Sequence, residues 1–141
     1  MKIYEILPGK LYQCGKTNNL SVEEKVKLIT DYGITTVVNF WRFEDPDLIS
    51  SVRYEHCYMP DGKLHCPDEL RLLAKKTAEK INAGQVVLSQ CYGGRNRSGL
   101  FSAMILIQLL GISGKEALTV VQRQRPNSLV NKEFCQFLEL E

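Results

Sequence analysis

Apolar positions along the chain alternate between short β-branched runs and longer stretches at helical spacing. Ile6-Leu7-Pro8-Gly9-Lys10-Leu11-Tyr12-Gln13-Cys14-Gly15 reads as two short strands around a Pro-Gly turn. Ser21 supplies a helix N-cap, and Glu24 at the third helical position completes a capping box. Val22, Val26 and Ile29 follow at helical spacing, and Gly33 stops that helix. Ile34-Thr35-Thr36-Val37-Val38-Asn39-Phe40 is short and β-branched, and a helix precedes it, so it predicts an internal strand of a mostly parallel sheet. Trp41 through Asp47 reads as a loop with a short helical turn, Trp41 packing and Arg42 serving as an ion-pair partner.

The run from Val52 to Met59 alternates as a strand does and ends at Pro60-Asp61-Gly62. Asp68, after Pro67, is expected to cap a helix through Leu70, Leu73, Thr77 and Ile81, which Gly84 ends. Val86-Val87-Leu88 reads as a buried strand. Leu100 through Ile107 is too uniformly apolar for anything but a buried helix, stopped by Gly111. Ser113 with Glu116 forms a second capping box, and Ala117, Val120 and Val121 give the next helix its apolar face. Arg123 through Asn127 breaks it, and a last helix carries Phe134, Phe137 and Leu138, with Asn127 as its expected cap. The β-α-β alternation predicts an α/β fold: one domain over residues 1–141, with a central, mostly parallel, twisted sheet and helices on both faces.

Composition narrows the classes. With 44% hydrophobic and 24% charged residues, the chain is a folded globular domain rather than a disordered one. Its net charge of +2, without a long basic stripe, counts against nucleic acid as a partner. No apolar stretch is long enough to span a membrane, and the N-terminal residues lack the apolar core of a signal peptide, so a cytoplasmic protein is expected. Five cysteines, scattered and without a Cys-x-x-Cys pair, predict neither a disulfide framework nor a zinc site. His56-Cys57 and His65-Cys66 also lack zinc-ligand spacing.

The chemistry concentrates in Ser89-Gln90-Cys91-Tyr92-Gly93-Gly94-Arg95-Asn96-Arg97-Ser98-Gly99, a glycine-rich loop between the buried strand and the buried helix. Such a loop aims backbone N–H groups and the positive end of a helix dipole at one spot, where an anion belongs. A cysteine at a helix N-terminus beside arginine favours the thiolate, the form that acts as a nucleophile. Cys91 opens the loop and Arg97 closes it, with five residues between them. Arg97 offers a planar fork for two phosphate oxygens, and Ser98 can donate a hydroxyl to the Cys91 sulfur.

Cys91-Tyr92-Gly93-Gly94-Arg95-Asn96-Arg97-Ser98 resembles the signature loop of cysteine-based protein phosphatases, Cys-x-x-Gly-x-x-Arg-Ser/Thr. The chain length resembles the small dual-specificity branch, as do Pro8-Gly9-Lys10-Leu11-Tyr12 and Gly33-Ile34-Thr35 with the strand after it. The resemblance implies the dual-specificity phosphatase fold, with Tyr92, Gly93, Gly94, Arg95, Asn96 and Arg97 around the substrate phosphate. It implies a metal-independent phosphatase, without a cofactor, that forms a phosphocysteine on Cys91. Its substrates would be proteins phosphorylated on tyrosine, serine or threonine, and a monomer is expected. In that family a histidine precedes the cysteine; here Gln90 does.

The departing oxygen needs a proton. Asp61 lies at the end of the strand that holds the family's acid, and it is the candidate. The other candidates are Asp45, Asp47, Glu44, Asp68, His56 and His65. Arg95 adds a cation that would suit a polyphosphate, an inositol phosphate or an RNA 5′ end. RNA 5′-triphosphatase, phosphoinositide phosphatase and a phosphate-binding module without turnover therefore remain open alternatives. Sulfur or arsenate transfer would require a resolving cysteine that the spacing does not suggest.

Overall fold

The computed structural model describes residues Met1–Glu141. Five short strands form one sheet: β1 (Tyr4–Leu7), β2 (Leu11–Cys14), β3 (Thr36–Asn39), β4 (Arg53–His56) and β5 (Val87–Gln90). Their order is β1-β2-β5-β3-β4, with β1 antiparallel to β2 and every other pair parallel. The strand that leads to Cys91 is thus central, flanked by the strands that end at Cys14 and Asn39. β3 and β5 are buried on both faces, with apolar Val37-Val38 and Val87-Leu88 in their bodies and buried polar Asn39, Ser89 and Gln90 toward the carboxyl ends.

Alternation along these strands supplies two cores. Val38 and Val87 face a layer built by α3 (Pro67–Asn82), α4 (Arg97–Leu110), α5 (Gly114–Gln124) and α6 (Lys132–Glu139). Val37 and Leu88 face the opposite layer, built by α1 (Val22–Tyr32) and the short α2 (Pro46–Ile49). Helices therefore cover both faces, as the alternation of elements predicts. α4 is buried from Arg97 through Leu106, which its uniform apolar composition requires. No helix is long and apolar enough to cross a membrane.

Both capping boxes form, Ser21 with Glu24 and Ser113 with Glu116, and Gly33 and Gly111 end their helices in the left-handed region. Four local expectations fail, one to a tertiary ion pair and three to neighbouring residues. Val22 and Val26 are exposed; the buried face of α1 carries Leu28 and Lys25. The Lys25 ammonium is tolerated there because it lies 2.9 Å from Asp45 and 2.8 Å from Asp47. Burial opposes its charge, but the hydrogen bonds to Asp47 and Asp45 outweigh burial and raise its pKa. Asp68 does not cap α3: Pro67 is already helical, Cys66 occupies the cap position at φ 49°, and Asp68 pairs with Arg71 instead. α6 is capped by Asn131 and not by Asn127, which sits at φ 66° in the turn before it. Arg42 forms no ion pair; its guanidinium lies over the Phe43 ring.

Candidate active site

The parallel strands finish level with one another: Cys14, Gln90, Asn39 and His56 stand side by side in register. Ligands of open α/β sheets gather beyond such carboxyl ends, and the Cys91 loop leaves the central strand there. It runs from Cys91 to Arg97, the first residue of α4. Gly94 lies at φ 66°, and a Cβ on it would come within 2.5 Å of the Cys14 carbonyl carbon. Only glycine fits where the loop presses on the end of β2.

Every carbonyl from Tyr92 to Arg95 is turned outward and held from behind. Tyr92 O accepts from the backbone N–H of Lys16 at 3.0 Å. Gly93 O accepts from Arg125 Nη2 at 3.3 Å. Gly94 O accepts from Gln13 Nε2 at 2.9 Å and from Arg125 Nε at 3.2 Å. Arg95 O accepts from the Ser128 hydroxyl at 2.7 Å and from the Leu129 N–H at 3.1 Å. No backbone N–H from Tyr92 through Arg97 donates to any carbonyl of the chain. The loop is therefore a cup of unused amide donors, with its acceptors tied back.

The side chains complete it. Cys91 is 2% exposed, and its sulfur lies 3.3 Å from the Ser98 hydroxyl. The Arg97 Nη1 donates to Met59 O at 2.9 Å and contacts Phe40 O at 3.4 Å, which fixes the guanidinium under the loop. Its Nε is buried without a partner. A buried guanidinium donor left unpaired is costly unless an anion answers it.

Cys14 lies beside Gln90 on the neighbouring strand. Burial, and then the nearby Cys91, push its thiol well up, while the Gln90 amide works the other way. Cys14 is thus a neutral packing thiol. Gln90 Nε2 lies 3.3 Å from both Gly15 O and Thr17 Oγ1, and Thr17 donates to Asp45 at 2.6 Å. Asp45 in turn holds Lys25. Gln90 is therefore anchored by an uncharged hydrogen bond that ends in a buried ion pair.

Asp61 sits on the segment between β4 and α3, and Asn96 of the Cys91 loop fastens it to the cup. Asn96 Nδ2 donates to Asp61 Oδ2 at 2.9 Å, and Asn131 Nδ2 donates to Asp61 Oδ1 at 3.1 Å. The Asn96 side chain thus faces Asp61 and the turn before α6, and only its backbone faces the cup. Arg95 extends outward, its Nε donating to Asn127 O at 3.0 Å. Tyr92 is 55% exposed, with its ring 5.5 Å from that of Trp41. His56 faces the Trp41 carbonyl and Glu44, apart from the Asp61 contacts.

Sequence reasoning did not find Gln13, Arg125 and Ser128, which shape the loop from behind. Gln13 carried a faint signal, a polar side chain in a strand between two others, but its partners lie 81 and 115 residues away.

No protein-family model matches the chain. It is 28% identical, over 146 aligned residues, to the dual specificity protein phosphatase Mpk3 of Drosophila melanogaster, an alignment that takes in 95% of this chain. The chain spans 32% of that curated relative's length. Among solved structures, Tk-PTP in its active form superposes with a TM-score of 0.81 at 23% identity, covering 99% of this chain and 97% of the other. The human tyrosine phosphatase-like serine/threonine/tyrosine-interacting protein gives 0.82 at 22%, covering 98% and 93%. Human DUSP28 gives 0.79 at 19%, again covering 98% and 93%. The resemblance to dual-specificity phosphatases carried by the Cys91 loop extends to the whole fold.

Proposed function

We propose that this protein is a metal-independent phosphomonoester hydrolase that removes phosphate from tyrosine, serine or threonine residues of proteins. The observation that carries this reading is the cup itself: six successive residues whose amides go unused, above a buried Arg97 Nε without a partner. A tetrahedral dianion is the ligand that satisfies both. The charge that develops on the transferring phosphoryl group falls on Arg97 and the loop amides, already in place before substrate arrives.

The reaction then runs in two balanced steps. The Cys91 thiolate attacks phosphorus, the bond from phosphorus to the leaving oxygen breaks, and Asp61 gives that oxygen its proton. Ser98 steadies the sulfur. Water next attacks the phosphocysteine, Asp61 takes the proton, inorganic phosphate leaves and the thiolate is restored. The rival is a phosphate-binding module without turnover, which Gln90 in place of histidine favours.

A panel of phosphotyrosine and phosphothreonine peptides, triphosphate RNA and phosphoinositides, run with the wild type and Cys91→Ser, tests this. Cys91→Ser should lose roughly 10³-fold or more of the activity yet keep vanadate binding. Turnover equal to wild type in that variant would remove the covalent step. A wild type that binds vanadate but releases no phosphate would establish the module.

A further inference from the structure

Asp45 is 1% exposed and Lys25 5%, and together they form an ion pair buried in a small domain. Taking two charges out of water is costly, and packed apolar side chains of similar volume often serve stability as well or better. Stability alone gives no reason for the pair; its contacts do. The Asp45 carboxylate accepts from Lys25 Nζ at 2.9 Å, from the Asp47 N–H at 3.1 Å and from the Thr17 hydroxyl at 2.6 Å. Its backbone N–H donates to the Tyr54 hydroxyl, to which Asn39 at the end of β3 also donates.

The negative charge sets the direction of every bond that follows. Thr17 has one hydroxyl proton, and Asp45 takes it. The hydroxyl can then offer Gln90 only a lone pair, so Gln90 presents its Nε2 there, 3.3 Å away. The same nitrogen reaches Gly15 O, and Gln90 Oε1 is left buried without a donor. The residue before Cys91 is thus oriented by a chain that begins at Lys25. What the chain fastens is the segment Gly15-Lys16-Thr17. That segment presses on the start of the cup: the Lys16 N–H donates to Tyr92 O at 3.0 Å, and a Cβ on Gly15 would come within 2.9 Å of the same oxygen. In a trans peptide the Tyr92 C=O and the Gly93 N–H point opposite ways, so holding one outward aims the other into the cup.

We infer that Asp45 and Thr17 are positioning residues of the phosphate cup. Relayed through Thr17 and Gln90, the buried ion pair fixes the segment that holds the Tyr92 carbonyl outward, and so aims the first of the loop amides at phosphate. This goes beyond the phosphatase reading but rests on it, and it gives Gln90 a task in the place of a histidine.

The obvious variant, Asp45→Asn, strips Lys25 of its buried partner and can unfold the domain. Thr17→Val cuts the same chain and leaves the ion pair whole. The substrate is an activated aryl phosphate, which needs little help from Asp61, so that the assay reads the cup. It is run well below the Tm of each variant. In Thr17→Val, kcat/KM should fall about ten- to a hundredfold, and vanadate affinity should fall with it. Thr17→Ser, which keeps the hydroxyl, should restore both. Gln90→Met should lose as Thr17→Val does, and the double variant should lose no more than the worse of the two, because both break one chain. Wild-type activity and vanadate affinity in Thr17→Val would overturn the proposal. So would an equal loss in Thr17→Ser, or losses that multiply in the double variant. A wild type that neither hydrolyses the aryl phosphate nor binds vanadate would instead overturn the phosphatase reading beneath it.

Discussion

Two loops meet at the ends of the parallel strands, and they are held in opposite ways. The Cys91 loop is clamped from behind by Gln13, Lys16, Arg125, Ser128 and Leu129, and a Cβ at Gly94 has nowhere to go. The segment carrying Asp61 has no regular secondary structure between His56 and Pro67, and Asp61 itself hangs from two asparagine amides. On the proposed function, the difference separates two tasks. Recognising a phosphate needs donors whose positions are settled beforehand, because reorganising dipoles during the reaction would add to the barrier. Delivering a proton to leaving groups of different size needs a group that can shift, and loops tethered by a few side chains can.

The largest effect should come from breaking the rigid side. Arg97→Lys replaces a planar fork, fixed by Met59 O and Phe40 O, with a point charge. Phosphatase activity should fall about 10²–10³-fold, and vanadate affinity should fall with it, since this side acts in binding as well as chemistry. Undiminished vanadate affinity would place Arg97 outside the phosphate site.

A smaller loss, about 10²-fold, is expected for Asp61→Asn with leaving groups of high pKa. Activated aryl phosphates, which need little protonation, should lose much less, and vanadate binding should hold. Equal losses across leaving groups would mean that Asp61 is not the acid.

The smallest effect sharpens the comparison on the Asp61 side. Asn131 both holds Asp61 and caps α6. Asn131→Ala should cost about 1 kcal/mol of stability through the lost cap, read as a drop of a few degrees in Tm. Asn131→Ser, which can still cap, should recover the stability but not the grip on Asp61. If activity on poor leaving groups recovers equally, Asn96 alone suffices to hold the acid.

Much of this was legible in the chain, and the parts that were not share a cause. Strands, both capping boxes and the buried α4 follow from local periods and capping residues, and the Cys91 loop was singled out by its glycines, its place between a strand and a helix, and its resemblance to a phosphatase signature. The outer clamp was invisible because Gln13, Arg125 and Ser128 reach the loop across long sequence separations, where no period carries a signal. The inward face of α1 was misread for a similar reason. Lys25 counts as polar by itself, and only Asp45 and Asp47, twenty and twenty-two residues on, make its burial tolerable. Asp68 and Asn127 were good caps by residue type, but Pro67 and Asn131 had already settled where those helices begin.

The central claim is that phosphate passes through the Cys91 sulfur. Asp61→Asn, whose second step is slowed by the lost base, should accumulate that intermediate during turnover of an activated aryl phosphate. Denaturing quench and peptide mass mapping should then find a phosphoryl group on the peptide holding Cys91, and none in the Cys91→Ser, Asp61→Asn double variant. Steady turnover with Cys91 unlabelled, or with the label on another residue, would contradict the account.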